Sequence, residues 1–183
     1  MPDMTVKTAR PTFESRVTLR LPEAPAILYI LASRGKCDSV AEKLGKMAAA
    51  GRFILRPAGP DKWLALAPAA EASWLMAELR KALADTASLL DQSDGRVLIE
   101  LSGREAREAL AKGTGMDLDP SIFPIGRAAI TSFGHVTVHL TRAAADSYAL
   151  IVTRSYAEAL WETLVEAARE FGCDGPSTLP DKP

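Results

Sequence analysis

The stretch that decides the fold is Leu90–Gly126, LDQSDGRVLIELSGREAREALAKGTGMDLDPSIFPIG, together with its closing counterpart Arg154–Gly172, RSYAEALWETLVEAAREFG. In the first, the apolar period is near two over Val97–Leu101 and near 3.6 over Ala106, Ala109 and Leu110. In the second, Leu160, Trp161, Leu164, Val165 and Ala168 fall on one helical stripe. Ser102 with Glu105, and Ser155 with Glu158, have the spacing of capping boxes that would open these two helices. Gly113 and Gly172 stand where the helices should stop. A chain that changes period in this way builds helices against a sheet, an α+β fold.

Working outward, Ala128–Phe133, Val136–Leu140 and Tyr148–Val152 are three further strands between the two helices. Upstream, Ala87–Asp91 and Val97–Leu101 flank the turn-rich Gln92–Gly95, which predicts a hairpin. The N-terminal part uses the same grammar. Phe13–Leu21 alternates, with Val17, Leu19 and Leu21 on one face. Ala26–Ala32 is almost continuously apolar, as a strand covered on both sides should be. A helix runs from Asp38, its expected N-cap, through Val40, Leu44 and Met47 to Gly51. Strands follow at Phe53–Leu55 and Trp63–Ala67, and a second helix over Glu71–Leu83 aligns Trp74, Leu75, Leu79, Ala82 and Leu83.

Placing Asp61–Leu79 over Asp146–Leu164 without a gap pairs Trp63 with Tyr148, Ala72 with Ala157 and Leu79 with Leu164, a weak internal repeat. The expected architecture is two fused ferredoxin-like halves of β-β-α-β-α type, over 13–85 and 86–172, with a mainly antiparallel sheet covered by helices. Together they would make a single domain over 13–172, with tails over 1–12 and 173–183 that are rich in Pro, Asp, Ser and Thr.

At 183 residues with a formal charge of −1, the chain has no electrostatic footprint for nucleic acid or an anionic membrane. The first residues lack a signal-peptide core and no run approaches the roughly 20 apolar residues of a membrane span, so a cytoplasmic location is expected. Cys37 and Cys173 cannot build a disulfide framework and read as free thiols.

The residues assemble no active site. His135 and His139, the only histidines, would lie roughly 13 Å apart along one strand, too far to share an ion. They read as surface or cross-strand histidines. Asp117 and Asp119 have the spacing of the first two calcium-loop ligands, yet Ile122 and Ala128 stand where that loop needs Gly and Glu. Arg34-Gly35-Lys36-Cys37 lacks both the first glycine and the Ser or Thr of a phosphate loop. Gly113 and Gly115 follow a helix, whereas a dinucleotide loop precedes one. Ser102, Ser132 and Ser155 have no His and acid at motif spacing. Asp91 and Asp94 flank a solvated turn where nothing separates their pKa values. Trp63, Trp74 and Trp161 lie in apolar stripes and belong to the core by default. Trp161 and Tyr156 also share a helix open to docking, which makes them the interface candidates.

Several pieces together resemble the gamma subunit of heterotetrameric sarcosine oxidase, over about Leu44–Gly172. They are Asp61-Lys62-Trp63-Leu64, Asp91-Gln92-Ser93-Asp94, Leu101-Ser102-Gly103 leading to Ala106 and Leu110, Asp117-Leu118-Asp119-Pro120, Phe123-Pro124, and Arg154-Ser155-Tyr156-Ala157 leading to Trp161 and Leu164. The resemblance implies a fold related to the folate-binding domain of aminomethyltransferase. It also implies a place beside alpha, beta and delta subunits that convert sarcosine to glycine, reduce oxygen to hydrogen peroxide and pass the methyl carbon to tetrahydrofolate. FAD, FMN, NAD and tetrahydrofolate then belong to the alpha and beta subunits, zinc to delta, and no cofactor to this chain. An obligate partner would leave the isolated chain with an exposed apolar patch. The competing readings are a free-standing folate-binding or one-carbon protein, for which Asp91, Arg96 and Arg127 are the available polar groups, and the same subunit of a related methylamino-acid dehydrogenase.

Overall fold

The computed structural model describes residues 16–180. Ten strands and four α-helices alternate along it in an α+β arrangement. Strand β1 (Val17–Arg20) leads into β2 (Ala26–Ala32), helix α1 (Cys37–Ala48), β3 (Ile54–Pro57), β4 (Lys62–Ala67), α2 (Ala72–Leu83) and β5 (Ala87–Asp91). The rest is β6 (Arg96–Ser102), α3 (Ala106–Ala111), β7 (Ala128–Phe133), β8 (Val136–Ala144), β9 (Ser147–Thr153), α4 (Ala157–Ala168) and β10 (Cys173–Asp174). Phe13–Ser15 of the expected first strand lie outside the described residues.

The strands form two sheets, ordered β3-β4-β2-β5 and β10-β1-β6-β9-β8-β7. The first is a ferredoxin-like β-α-β-β-α-β unit, β2 to β5, with its four strands in the order 4-1-3-2. The second repeats this from β6, with β7 added at one edge and β1 inserted beside β6. The two-unit plan expected from the sequence is present, but the units exchange strands. The hairpin expected between Ala87–Asp91 and Val97–Leu101 does not form. β5 pairs with β2 in one sheet, while β6 lies between β1 and β9 in the other. Gln92–Gly95 is therefore a crossing between sheets. Its compact turn comes from Asp91 accepting hydrogen bonds from the Ser93 amide and hydroxyl, and Ser93 Oγ in turn accepts from the Ile27 amide.

Each sheet carries helices on its outer face, because strand residues alternate between faces. Leu28, Ile30, Ala65 and Ala67 meet Val40, Leu44, Leu75, Leu79 and Leu83 of α1 and α2. Ile99, Leu101, Leu150 and Val152 meet Ala109, Leu110, Leu160, Trp161 and Leu164 of α3 and α4. Each such fully buried Leu contributes about 1.5–3 kcal/mol. The opposite strand faces meet each other in a thinner layer of Ile27, Leu64, Leu66 and Ile151, joined by Tyr29 and Leu98. The interior is thus two helix–sheet cores and one inter-sheet layer.

The gapless repeat is visible element by element. A one-turn 3-10 segment, Ala69–Glu71 or Arg154–Tyr156, precedes α2 and α4. The offset that pairs Ala72 with Ala157 also pairs the helix ends Leu83 and Ala168, and the buried positions Leu75 and Leu79 with Leu160 and Leu164. The capping devices differ from expectation. These 3-10 turns and backbone bonds, not Ser155, start α4. α3 has Glu105 at its N-cap, and its carboxylate pairs with Arg16 at 3.2 Å instead of closing a box with Ser102. α1 begins at Cys37 with Lys36 as N-cap, placing Asp38 in the first turn. The segment from Cys173 is tied down: β10 runs parallel to β1, and Leu179 packs on the core of the larger sheet.

Candidate functional site

The inter-sheet layer is where polar groups meet burial. On β8 the alternation turns Val138 and Leu140 toward the helices and His139 toward the other sheet. His139 is 5 % exposed, and its Nε2 lies 2.8 Å from the Pro57 carbonyl of β3. A carbonyl only accepts, so Nε2 carries the hydrogen and Nδ1, which has no partner, is left as a bare acceptor. Burial holds the His139 pKa below the ordinary imidazole value; the Pro57 bond opposes that shift, and the Arg56 charge adds to it. The ring is neutral at pH 7. Arg56, 7 % exposed, has Nε and Nη1 without partners, and Glu100 is the acidic group that steadies its charge.

Two openings reach this layer. The larger, of about 470 Å³, is lined by Arg52, Ile54, Arg56, Leu98 and Glu100 among others. The smaller, of about 190 Å³, is lined by Tyr29, Lys62, Leu64, Arg96, Ile130 and His139 with Ala58, Thr137 and Val138. Neither places a hydroxyl or thiol beside the His139 ring nitrogens. No cluster of three metal-ligating side chains occurs among the described residues. The β2–α1 connection carries one glycine, Gly35, in an exposed turn, and so lacks the glycine pattern of a dinucleotide-binding loop.

The residues weighed from the sequence separate cleanly. His135 sits exposed in the turn between β7 and β8, and His139 is buried and not a surface histidine. Asp117 and Asp119 accept from the backbone two residues on, as turn formers do. Ser132 and Ser155 are exposed. Both cysteines are free. The Cys37 pKa is raised, chiefly by a hydrogen bond with Asp61, and burial raises that of Cys173. Of Asp91, Arg96 and Arg127, only Arg96 lines an opening to the inter-sheet layer. Trp161 is completely buried and donates Nε1 to the Pro176 carbonyl, so it presents no surface; Tyr156 is 58 % exposed. Trp74 packs on the smaller sheet's core with the Arg52 guanidinium 3.5 Å above its ring. Arg56 escaped sequence reading, and the buried, inward-facing role of His139 was not seen. Their one signal was a charged or polar residue at an inward position of a strand whose alternate positions are apolar.

With the geometry in view, comparison with known proteins decides the kinship: the profile of the sarcosine oxidase, gamma subunit family matches residues 38–170, more than half of the chain. The chain belongs to the sarcosine oxidase gamma subunit family. It is 36 % identical over 117 residues to the sarcosine oxidase subunit gamma of Corynebacterium sp. strain P-1, covering 63 % of this chain but 57 % of that relative's length. It is 34 % identical over 147 residues to the Arthrobacter sp. subunit gamma, covering 80 % of this chain and 70 % of the relative. A chain of the heterotetrameric sarcosine oxidase from Corynebacterium sp. U-96 superposes with a TM-score of 0.75 at 27 % identity, over 89 % of both chains. Aminomethyltransferase T of the glycine cleavage system from Bartonella henselae shares the fold of this chain, with a TM-score of 0.63 at 19 % identity over 86 % of this chain and half of that one.

Proposed function

We propose that this chain is the non-catalytic gamma subunit of a heterotetrameric sarcosine oxidase and acts by stabilising the larger subunits. The observation that carries this reading is the superposition on a chain of the Corynebacterium complex over 89 % of both chains. In this reading alpha, beta and delta subunits are the partners, in the cytoplasm. They hold FAD, FMN, NAD, tetrahydrofolate and zinc, and the assembly demethylates sarcosine to glycine with formation of hydrogen peroxide and methylenetetrahydrofolate. Large aliphatic side chains standing in water support a partner-dependent chain: Ile54, Ile122, Ile125 and Ile130 are each more than half exposed.

The test is purification of the tagged chain from its native host, followed by mass spectrometry and a visible spectrum of the eluate. Co-elution with larger, yellow subunits that oxidise sarcosine is the expected outcome. A colourless eluate containing this chain alone would refute it.

A further inference from the structure

The smaller opening has a composition that its walls do not explain. Lys62 and Arg96 both line it, and no carboxylate does. Arg96 gives its one side-chain bond to the neutral Gln92, 3.3 Å away, and among the described residues neither cation forms an ion pair. Two cations sharing one pocket repel each other, and each loses part of its hydration there. The arrangement suits a guest that brings negative charge.

The rim is the opposite in character. Lys62 pairs directly with Leu31, and Tyr29 with Leu90, so these leucines lie on the sheet face that the pocket opens through. Leu31 is 38 %, Leu90 49 % and Ile130 56 % exposed. Ile130 belongs to β7, the outer strand of its sheet, whose sequence AAITSF has neither a charge nor a proline to discourage an approaching chain. Aliphatic side chains around a charged centre are what excludes water from a buried ion pair at an interface.

We infer that Lys62 and Arg96, with Ile130 in the same lining and Leu31 and Leu90 on the same sheet face, form the seat for an acidic side chain flanked by aliphatic neighbours on a partner subunit of the complex. The inference rests on the accessory-subunit reading. Size agrees with it: an opening of about 190 Å³ has room for a carboxylate side chain. Charge gives the contact its specificity and the rim supplies the apolar burial.

The experiment uses the full chain co-produced with the other subunits of its native complex. Lys62→Glu with Arg96→Glu should lower the co-purified partner at least tenfold, and raising the salt concentration should weaken the wild-type complex. Ile130→Glu, at an exposed rim position that does not endanger folding, should lower it less, and Lys81→Glu on α2 should not. Carbodiimide should couple Lys62 to an Asp or Glu of a partner subunit, read by mass spectrometry. Full retention by both the double variant and Ile130→Glu would overturn the inference, as would coupling of Lys62 to a second copy of this chain. The two readings fail differently. A wild-type chain that captures no partner sinks the accessory-subunit reading, whereas capture by wild type and variants alike sinks only the docking seat.

Discussion

The indole Nε1 of Trp161 donates a hydrogen bond to the Pro176 carbonyl at 3.0 Å, so the last helix and the C-terminal segment hold each other. Trp161→Phe keeps most of the apolar contact and removes the donor, with an expected loss of about 1–3 kcal/mol. Ending the chain at Gly172 removes the acceptor and β10 together, and should cost on the order of 2–4 kcal/mol. Urea denaturation followed by fluorescence measures both. An unchanged midpoint for the truncated chain would show that the segment only rests on the surface.

Gly103 has φ +118°, and a Cβ there would stand 2.2 Å from the Arg16 carbonyl oxygen. Gly103→Ala must push β1 away from the start of α3, with an expected loss of about 3 kcal/mol or more. Gly95→Ala meets nothing closer than 3.7 Å and should stay within about 0.5 kcal/mol of wild type. Equal thermal midpoints for the two variants would contradict this packing.

The buried Arg142 guanidinium donates to the Phe123 carbonyl at 3.2 Å and to the Ala145 carbonyl at 3.2 and 2.7 Å, joining the loop before β7 to the β8–β9 turn. Arg142→Met should destabilise by about 3 kcal/mol, because the Phe123 carbonyl loses its donor. Arg142→Lys keeps the charge without the fork and should recover only part of that. Hydrogen exchange at residues 117–127 should rise in parallel with the loss.

His139 gives the fold a pH dependence of definite sign. Its folded pKa lies below the unfolded value near 6.5, so between the two the unfolded chain binds more protons. Stability is then fully present above about pH 6.5 and falls as the pH drops toward the folded pKa. Arg56 and Arg96, both positive, face the ring and oppose its protonation. Denaturation midpoints measured from pH 7.5 to 5 should fall less steeply for His139→Gln than for wild type. Parallel slopes would remove His139 as the cause.

Local periodicity was enough to place most elements. The stripe Leu75, Leu79, Leu83 and its counterpart Leu160, Leu164, Ala168 gave α2 and α4, since helix contacts lie within a few residues of each other. Pairing was not legible in the same way. Nothing near Asp91 or Arg96 says that these strands part company, because the choice between a hairpin and a crossing is made by β1 and β2, more than fifty residues upstream. The caps failed for a related reason: Ser-x-x-Glu marks a possible box, and Arg16, distant in sequence, takes Glu105 away from it. The docking seat was hidden too. Lys62 was quoted only as part of a family pattern and Arg96 only as a possible folate contact, and they become neighbours through the packing of two sheets.

The exchange of strands has a consequence for how the protein is made. β1 leaves the ribosome before the other described elements, yet its sheet neighbours are β6 and, last of all, β10. At about 5–20 residues per second the strand waits roughly 8–30 s for that final neighbour. Until β6 emerges about 80 residues later, Val17 and Leu19, both destined for full burial, stand without any strand partner. Translation order therefore leaves β1, of the described strands, waiting longest for its full set of neighbours, and the yield of folded chain depends on how well the cell shields it in the meantime.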